Sequence, residues 1–240
     1  MILITRPKDQ SINLKSKLEK KGYSFFQESF YSFQYLKKQI IWDASIYYIF
    51  SSIHSVKSIK KNRQISKFIN ANLLVIGQQV KKALEELGCR NFVAVAPDSS
   101  AMLKIITSSN YNKKKYIYLC SNVINEEFFF EADKNKINIK KNIVYKTIGI
   151  KTLTKKLIKL IELNKINGVI FYSQLSVKIY LRLLSNTKIM TNLKSIHIYC
   201  ISKRVAGPLK QKNIDNIHIA KKPNEESLIS TIKKSHFYNK

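Results

Sequence analysis

Glycine is scarce in this sequence, and its scarcity argues against several familiar enzyme classes. The 240 residues include six glycines, and none belongs to a GxGxxG dinucleotide fingerprint or to a phosphate-binding Walker loop. An HExxH zinc motif and a GxSxG nucleophile elbow are also missing. Dinucleotide-dependent, P-loop, zincin and α/β-hydrolase chemistry therefore have no recognisable motif in this chain.

Cysteines and long apolar runs are also few. The three cysteines, Cys89, Cys120 and Cys200, are far apart and form no CxxC pair, which favours buried free thiols over a disulfide framework or a zinc site. The longest apolar candidate, residues 40–53, contains Asp43 and is too short to span a membrane. The N-terminal residues have the pattern of a strand followed by a turn, which is not that of a signal peptide. We therefore expect a cytoplasmic protein with no membrane segment and no metal site.

Acidic residues are few as well. The chain has 43 Lys and Arg residues against 15 Asp and Glu residues, for a net charge of +28. Such a balance concentrates anions near the surface and suits a nucleic acid or a polyanionic small molecule. However, the lysines are scattered over predicted helix faces, and no basic tail or aromatic-interleaved basic motif occurs. We therefore expect no nucleic-acid partner, and the charge permits an anionic ligand without selecting one.

Strand and helix patterns alternate along the chain. A buried-strand pattern at 1–6, a helix that ends at Gly22 and a strand at 23–26 make an opening β-α-β unit. Regular alternation at this spacing predicts an α/β fold with parallel sheets and right-handed crossovers. Further strands are predicted at 46–50, 72–76, 92–96, 116–120, 169–172, 196–201 and 217–220.

The second half of the chain repeats a pattern of the first half. The motif Phe-Ser-Ser-x-x-x-Val at 50–56 recurs as Phe-Tyr-Ser-x-x-x-Val at 171–177, and Val80 recurs as Val205 at nearly the same offset. Two lobes of one architecture are the economical explanation. The opening β-α-β unit has no equivalent before the first copy, so we expect it to complete the lobe of the second copy.

These patterns predict two similar lobes, each a flavodoxin-like parallel sheet flanked by helices, with a cleft between them. Residues 1–30 with 150–240 form the first, discontinuous lobe, and residues 40–142 form the second. Two linker strands, at 31–39 and 143–149, join the lobes as a β-ribbon.

The linker strand Ile143–Gly149 is short and β-branched, ends in glycine and carries one aromatic residue, Tyr145. We expect Tyr145 to face the gap between the lobes; a tyrosine packed on a hinge strand is the alternative. The aromatic residues of 30–35 alternate with period two and match a second ribbon strand. An ordinary edge strand explains that segment equally well.

The turns that follow the predicted strands are rich in hydroxyl, amide and basic side chains. The carboxyl ends of parallel strands meet at one edge of a sheet, where ligands bind, and helix N-termini there favour carboxylates or phosphates. Routine helix capping explains any single turn, but several such turns facing one cleft favour a binding site. The candidate residues are Arg6, Ser51, Ser52, Gly77, Gln78, Ser121, Ser173, Gln174, Ser202, Lys203 and Arg204. Of the four histidines, only His54 has a position typical of a site.

An ordered set of short motifs resembles the uroporphyrinogen-III synthase family along nearly the whole chain. The motifs are Ile2-Leu-Ile-Thr-Arg-Pro7, Phe50-Ser-Ser52 with Val56, Val75-Ile-Gly77, Val144-Tyr-Lys-Thr147, Phe171-Tyr-Ser173 with Val177, and Pro223-Asn224 with Leu228. The resemblance implies a hydro-lyase of haem biosynthesis that uses no cofactor or metal. Such an enzyme closes linear hydroxymethylbilane, a small polycarboxylate, into uroporphyrinogen III with loss of water and inversion of ring D.

The resemblance also implies roles for individual residues. Tyr145 matches a cleft tyrosine that donates a hydrogen bond to the departing hydroxyl of the substrate. The chain departs from the family pattern at Ser121 and Asn122, and again at Ser202 and Val205. A non-catalytic relative that binds a tetrapyrrole or another polyanion is therefore the alternative, and in either case we expect a monomer. The positions that match the cleft lining are Arg6, Ser52, Gly77, Ser173 and the turn at Ser202.

Overall fold

Two compact units make up the chain. The residues described by its computed structural model are 1–108, 110–185 and 196–237. One unit consists of Met1–Ser32 with Ile148–Lys240, and the other consists of Phe33–Thr147. The chain therefore leaves the first unit after its opening segment, builds the second, and returns to the first.

Strands and helices alternate as the sequence predicts. The strands are β1 (Ile2–Ile4), β2 (Phe25–Gln27), β3 (Tyr31–Tyr35), β4 (Ile46–Phe50), β5 (Asn72–Ile76), β6 (Phe92–Ala96), β7 (Lys115–Ser121), β8 (Ile139–Gly149), β9 (Gly168–Phe171), β10 (His197–Cys200) and β11 (Ile217–Ile219). The α-helices are α1 (Ile12–Glu19), α2 (Ile53–Lys61), α3 (Gln78–Glu85), α4 (Ser99–Ile106), α5 (Glu126–Lys134), α6 (Lys155–Glu162), α7 (Gln174–Ser185), α8 (Lys203–Lys210) and α9 (Glu225–Phe237). Short 3₁₀ turns occur at Lys8–Gln10 and Ile65–Phe68.

The first unit is built on a five-stranded sheet with the order β2-β1-β9-β10-β11. All four neighbouring pairs are parallel, and Leu3 of β1 pairs with Phe26 on one side and with Val169 on the other. Numbered along the chain, this order is 2-1-3-4-5, the order of flavodoxin-like sheets. The order reverses between β1 and β9, so the ligand crevice of such a sheet is expected beside their carboxyl ends.

The second unit is built on a six-stranded sheet with the order β3-β8-β7-β4-β5-β6. From β8 to β6 the neighbouring strands are parallel, which confirms the predicted fold class. Alternate residues of β4 enter different cores: Tyr48 and Phe50 belong to one apolar cluster and Ile49 to another. The period of two in a pleated strand explains this division. Here the order reverses between β4 and β7.

The two sheets have the same spatial arrangement of five strands, but the chain enters this arrangement at a different strand in each sheet. β4, β5 and β6 follow one another in the second sheet as β9, β10 and β11 do in the first. β7 and β8 stand beside β4, and β1 and β2 stand beside β9 in the same order. The opening β-α-β unit therefore takes the position that β7, α5 and β8 take in the other unit. β1 of this unit pairs directly with β9, the first strand of the second copy.

Side chains of the turns cap several helices at the carboxyl ends of strands. The hydroxyl oxygen of Ser52 accepts a hydrogen bond from the N–H of His54 at the start of α2, with N and O 3.1 Å apart. Asp98 caps α4 and Ser202 caps α8 in the same way. Each cap satisfies a backbone donor that the first helical turn leaves open. Within the described ranges, every helix is too short or too polar to cross a membrane.

Candidate active site

The six-stranded sheet gathers half of the predicted site residues along one edge. They are Ser51 and Ser52 after β4, Gly77 and Gln78 after β5, Ser121 at the end of β7, and Tyr145 in β8. β4 and β7 are the neighbours between which the strand order reverses. The predicted residues of this unit therefore surround the position at which open α/β sheets bind ligands.

Tyr145 follows a β-bulge that sets the direction of its side chain. Cys120 of β7 pairs with Ile143 of β8, but Ser121 pairs with Tyr145, so Val144 is an extra residue at this point. In a regular strand, Val144 and Tyr145 would point to opposite faces. With the bulge, both belong to the same apolar cluster. Tyr145 is 7% exposed, so most of its ring is packed against the core of its unit.

The hydroxyl of Tyr145 lies near the side chain of Ser52. Burial raises the pKa of Tyr145 above its ordinary value, and the polar contact with Ser52 opposes part of that rise. The phenol is therefore neutral at physiological pH. A neutral phenol can donate a hydrogen bond.

His54 packs beside Tyr145 among three aromatic rings. Its imidazole stacks on Phe33 with ring centroids 3.5 Å apart and lies 5.6 Å from the ring of Tyr145. Its Nδ1 is 2.9 Å from the hydroxyl of Tyr35. His54 stands out in the sequence because it lies in a strand-to-helix turn. Phe33 and Tyr35 are not among the predicted site residues. The alternation of aromatic residues in β3 was the available signal, because residues two apart in a strand share a face.

Ser51 and Ser121 use their hydroxyls within the second unit. Tyr118 donates to Ser51 over 2.6 Å. Ser121 Oγ is 2.9 Å from the hydroxyl of Thr147, and the side-chain oxygen of Asn122 accepts from the backbone N–H of Thr147 over 2.7 Å. These bonds tie the end of β7 to Thr147, two residues beyond the last residue of β8 that pairs with β7. A binding role for Ser121 would therefore compete with its structural bonds.

Gly77 supplies the backbone conformation that joins β5 to α3. Its φ is 94°, a region that L-residues with a side chain rarely adopt. Its N–H donates to the carbonyl oxygen of Ala96 over 2.8 Å. Gln78 follows as the first, exposed residue of α3, so it lies beside the site edge with its side chain open to solvent.

The five-stranded sheet holds the other predicted residues, and Arg6 and Ser173 come together in it. They follow β1 and β9, the two neighbours between which the strand order reverses. Ser173 Oγ is 2.8 Å from Ser176 Oγ, and the hydroxyl of Tyr31 lies near both serines. Burial raises the pKa of Tyr31, and the polar contacts with the serines together with the nearby Arg6 charge oppose the rise.

Of the remaining predicted residues, Ser202, Lys203 and Arg204 follow the next strand, β10, and Gln174 begins α7 after β9. Ser202 caps α8, since its hydroxyl oxygen accepts from the N–H of Val205 over 3.3 Å. The amide of Gln174 donates to the backbone carbonyl of Arg204 over 2.8 Å and joins α7 to α8. Lys203 and Arg204 are exposed. Their charges are therefore available to an anion, whereas Ser202 and Gln174 already have structural partners.

The three cysteines are free and buried, as predicted. Burial raises the pKa of Cys89 and Cys120 to about 11 and that of Cys200 to about 12. The thiols are therefore protonated at neutral pH and are poor nucleophiles and ligands. In the part of the chain that the structure describes, no three His, Cys, Asp or Glu side chains are grouped as metal ligands.

A comparison with known protein families identifies the family of this chain. The family described as Uroporphyrinogen-III synthase HemD matches residues 2–230. The chain belongs to the uroporphyrinogen-III synthase family. That match includes both sheets and every predicted site residue. A comparison with curated proteins gives no match.

Solved structures of uroporphyrinogen-III synthases share the fold. The uroporphyrinogen-III synthetase of Helicobacter pylori is 17% identical with a TM-score of 0.66, over 98% of each chain. A mutant uroporphyrinogen III synthase of the extremely thermophilic bacterium Thermus thermophilus is 9% identical with a TM-score of 0.64, over 100% of each chain. At such low identity the likeness shows the fold.

Proposed function

We propose that this protein is a uroporphyrinogen-III synthase, a hydro-lyase of haem biosynthesis. It would close linear hydroxymethylbilane into uroporphyrinogen III with loss of water and inversion of ring D. The observation that carries the proposal is the family match along residues 2–230. Within that match, polar turns stand at the carboxyl ends of both sheets where the strand order reverses.

The proposed reaction begins with departure of the hydroxyl group at one end of the chain-like substrate. The carbon–oxygen bond breaks, the hydroxyl leaves as water after gaining a proton, and a cation remains on the substrate. Ring closure with inversion then forms two carbon–carbon bonds to ring D and breaks one, because the methylene bridge between ring D and its neighbour moves to the other α-carbon of that ring, and a proton is released. The linear substrate can also close unaided to uroporphyrinogen I (isomer I), with one new carbon–carbon bond and no movement of the bridge, so the protein must hold ring D in the orientation that leads to inversion while the cation exists. Orientation of reacting groups can contribute about 7–11 kcal/mol in favourable cases.

Tyr145 is the residue we assign to the departing hydroxyl. Burial keeps its phenol protonated, because the pKa is raised above the ordinary value. It would donate a hydrogen bond to the leaving oxygen. A donor of this kind contributes roughly 10²–10⁴-fold to the rate. A tyrosine of raised pKa is a weak acid, so stabilisation of the leaving oxygen fits it better than complete proton transfer.

Binding of the substrate is assigned to the basic and amide groups at the two sheet edges. The substrate carries eight carboxylates, and the chain carries a net charge of +28. Exposed Lys203 and Arg204 and the helix N-termini that follow the strands present positive charge and N–H donors to such groups. We expect these contacts to orient the substrate, because many weak anchors around a flexible chain restrict its conformation.

The decisive experiment is an isomer assay. The protein is incubated with freshly prepared hydroxymethylbilane, the products are oxidised to porphyrins, and isomers I and III are separated. We expect isomer III in proportion to protein, with isomer I alone in a parallel reaction containing heat-denatured protein. Only isomer I in both reactions would overturn the proposal. Saturable binding of uroporphyrinogen without faster closure would instead favour the non-catalytic relative.

A further inference from the structure

Arg6 and Tyr172 form a polar pair where the strand order of the five-stranded sheet reverses. Arg6 follows β1, and Tyr172 follows the neighbouring strand β9. The guanidinium carbon of Arg6 lies 4.2 Å from the centroid of the Tyr172 ring. The stacking fixes the guanidinium plane beside the tyrosine, because cation–π contact and planar stacking both favour this arrangement.

Both residues hold buried polar atoms that lack a partner. Arg6 Nε and the hydroxyl oxygen of Tyr172 are buried and make no hydrogen bond of good geometry among the described residues. Most buried polar groups in proteins are hydrogen-bonded, so two neighbouring exceptions call for an explanation. A guanidinium has five N–H donors and matches a carboxylate through two parallel bonds. The pair therefore offers hydrogen-bond donors that suit a carboxylate, and some of these donors have no acceptor of good geometry among the described residues.

Glu225, in the first turn of α9, occupies the position that faces this pair. Its carboxylate lies 3.3 Å from Arg6 Nη1 and 3.7 Å from Lys17 Nζ. Burial raises the pKa of Tyr172, and the negative charge of Glu225 raises it further, which places that carboxylate near the tyrosine hydroxyl as well. Arg6 and Glu225 are each 21% exposed at the side chain, so the contact is open to solvent on one side.

We propose that Arg6 and Tyr172 form a subsite for one carboxylate of the substrate and that Glu225 is its internal occupant. When the ligand arrives, Glu225 moves from Arg6 to Lys17, and the ligand carboxylate takes its position. The identity of the ligand rests on the proposed function; the subsite itself is a site for an organic carboxylate.

The exchange is balanced because one carboxylate replaces another. Arg6 has one contact to Glu225 at 3.3 Å, which is longer than a typical charge-assisted bond of about 2.7–2.9 Å. A bidentate ligand would add bonds that this single contact does not make. Lys17 already lies 3.7 Å from Glu225 and bonds Glu226 over 3.1 Å, so a second cation is in place for the displaced side chain.

The test measures binding of uroporphyrin, the stable octacarboxylate obtained by oxidation of the proposed product, through its fluorescence. Arg6→Gln should weaken binding by about tenfold or more, because a bond to a charged group is lost. Arg90→Gln is the matched control: it removes the same charge from an exposed residue beside the amino end of β6, and we expect less than about a twofold change. Glu225→Gln should tighten binding by about two- to fivefold, since a partly exposed competing ion pair is removed.

Tyr172→Phe separates a ligand contact from a structural one. Its buried hydroxyl makes no good hydrogen bond in the free protein, so removing it should leave the melting temperature unchanged or raise it. Binding should nevertheless weaken by about threefold or more. In the Arg6→Gln background, Glu225→Gln should have no further effect, because the two residues act through one contact.

Several results would overturn the subsite. They are a wild-type protein that does not bind uroporphyrin saturably, an Arg6→Gln variant that binds like Arg90→Gln, and a Glu225→Gln variant that binds more weakly than wild type. If Arg6→Gln fails to fold, Tyr172→Phe and Glu225→Gln decide the question alone. The isomer assay keeps the two proposals apart: isomer I alone with normal variant effects overturns only the synthase, and isomer III without variant effects overturns only the subsite.

Discussion

The imidazole of His54 stacks on the ring of Phe33, with the two centroids 3.5 Å apart and the planes inclined by 22°. The contact joins the start of α2 to β3, and Tyr35 of the same strand reaches the Nδ1 of His54. Since Tyr145 lies against both Phe33 and His54, the stack supports the ring that we assign to the reaction. His54 is therefore a positioning residue in our interpretation.

His54→Ala should destabilise the protein and reduce turnover through Tyr145. The stack and one hydrogen bond are lost, which corresponds to about 1–2 kcal/mol of unfolding free energy. His54→Asn keeps a polar atom near Tyr35 and should recover part of the stability. A double-mutant cycle with Phe33→Leu, measured by urea unfolding, should give a coupling of about 0.5–1.5 kcal/mol. Additive effects would mean that the stack contributes nothing.

Tyr145→Phe should lower kcat by roughly 10²-fold, near the lower end of the range for a general acid, because an electron-rich pyrrole already helps to expel the hydroxyl. The packed ring is retained, so the fold and most of the affinity should remain. The measurement is kcat and melting temperature on the same preparation. An unchanged kcat with a lower melting temperature would make Tyr145 a structural residue, since removal of its hydroxyl would then cost about 0.5–1.5 kcal/mol of stability alone.

Ser121→Ala should cost more stability than Thr147→Val. Both variants remove the bond between the two hydroxyls, 2.9 Å long, that ties β7 to β8, and Ser121→Ala also removes the bonds of this hydroxyl with the side-chain oxygen of Asn122 and with the N–H of Val123. For Thr147→Val the expected loss is about 0.5–1.5 kcal/mol in urea unfolding. Comparison of the two variants also tests the predicted substrate contact of Ser121: a KM that rises for Ser121→Ala and not for Thr147→Val would identify it. A smaller loss of stability for Ser121→Ala than for Thr147→Val would contradict the structural assignment.

The stability of the protein should fall steeply above about pH 9, where an unfolded thiol begins to ionise. The pKa of Cys89 is raised from 9.0 to about 11 in the folded state and that of Cys200 to about 12. The unfolded state therefore loses these protons first as the pH rises. The stabilisation that the buried, protonated thiols contribute is complete below pH 9 and is lost as the pH rises through the folded pKa. Each buried thiol adds about 1.4 kcal/mol per pH unit to the slope.

Urea unfolding at a series of pH values checks this expectation, with Cys200→Ala as the comparison. Removal of one thiol should make the alkaline slope shallower, whatever the variant does to stability at neutral pH. Lysines also titrate in this range, but they do so in both proteins and cancel in the difference. Identical slopes in the two proteins would show that Cys200 ionises equally in both states.

Local patterns predict elements well where the periodicity is strong and fail where a strand lies near the sheet edge. Apolar runs predicted β4 and β5, which are buried on both faces. β8 begins at Ile139, before the predicted strand of 143–149. Its first part contains Lys140 and Lys141, whose exposed side chains hide the strand pattern. Charged residues are common on strands with one solvated face, so the period of two is weak there.

The α/β class, the internal repeat and the turns that border the site were determined by the sequence itself, because each depends on residues close together in the chain. The partners of the site residues were decided only by tertiary structure. No local signal shows that an extra residue at Val144 turns Tyr145 toward Ser52, or that Glu225 faces Arg6 from the far end of the chain. Such contacts depend on the register of neighbouring strands and on the packing of distant helices. Strand register and helix packing are fixed only when the apolar surfaces are buried and the backbone hydrogen bonds are formed across the whole unit.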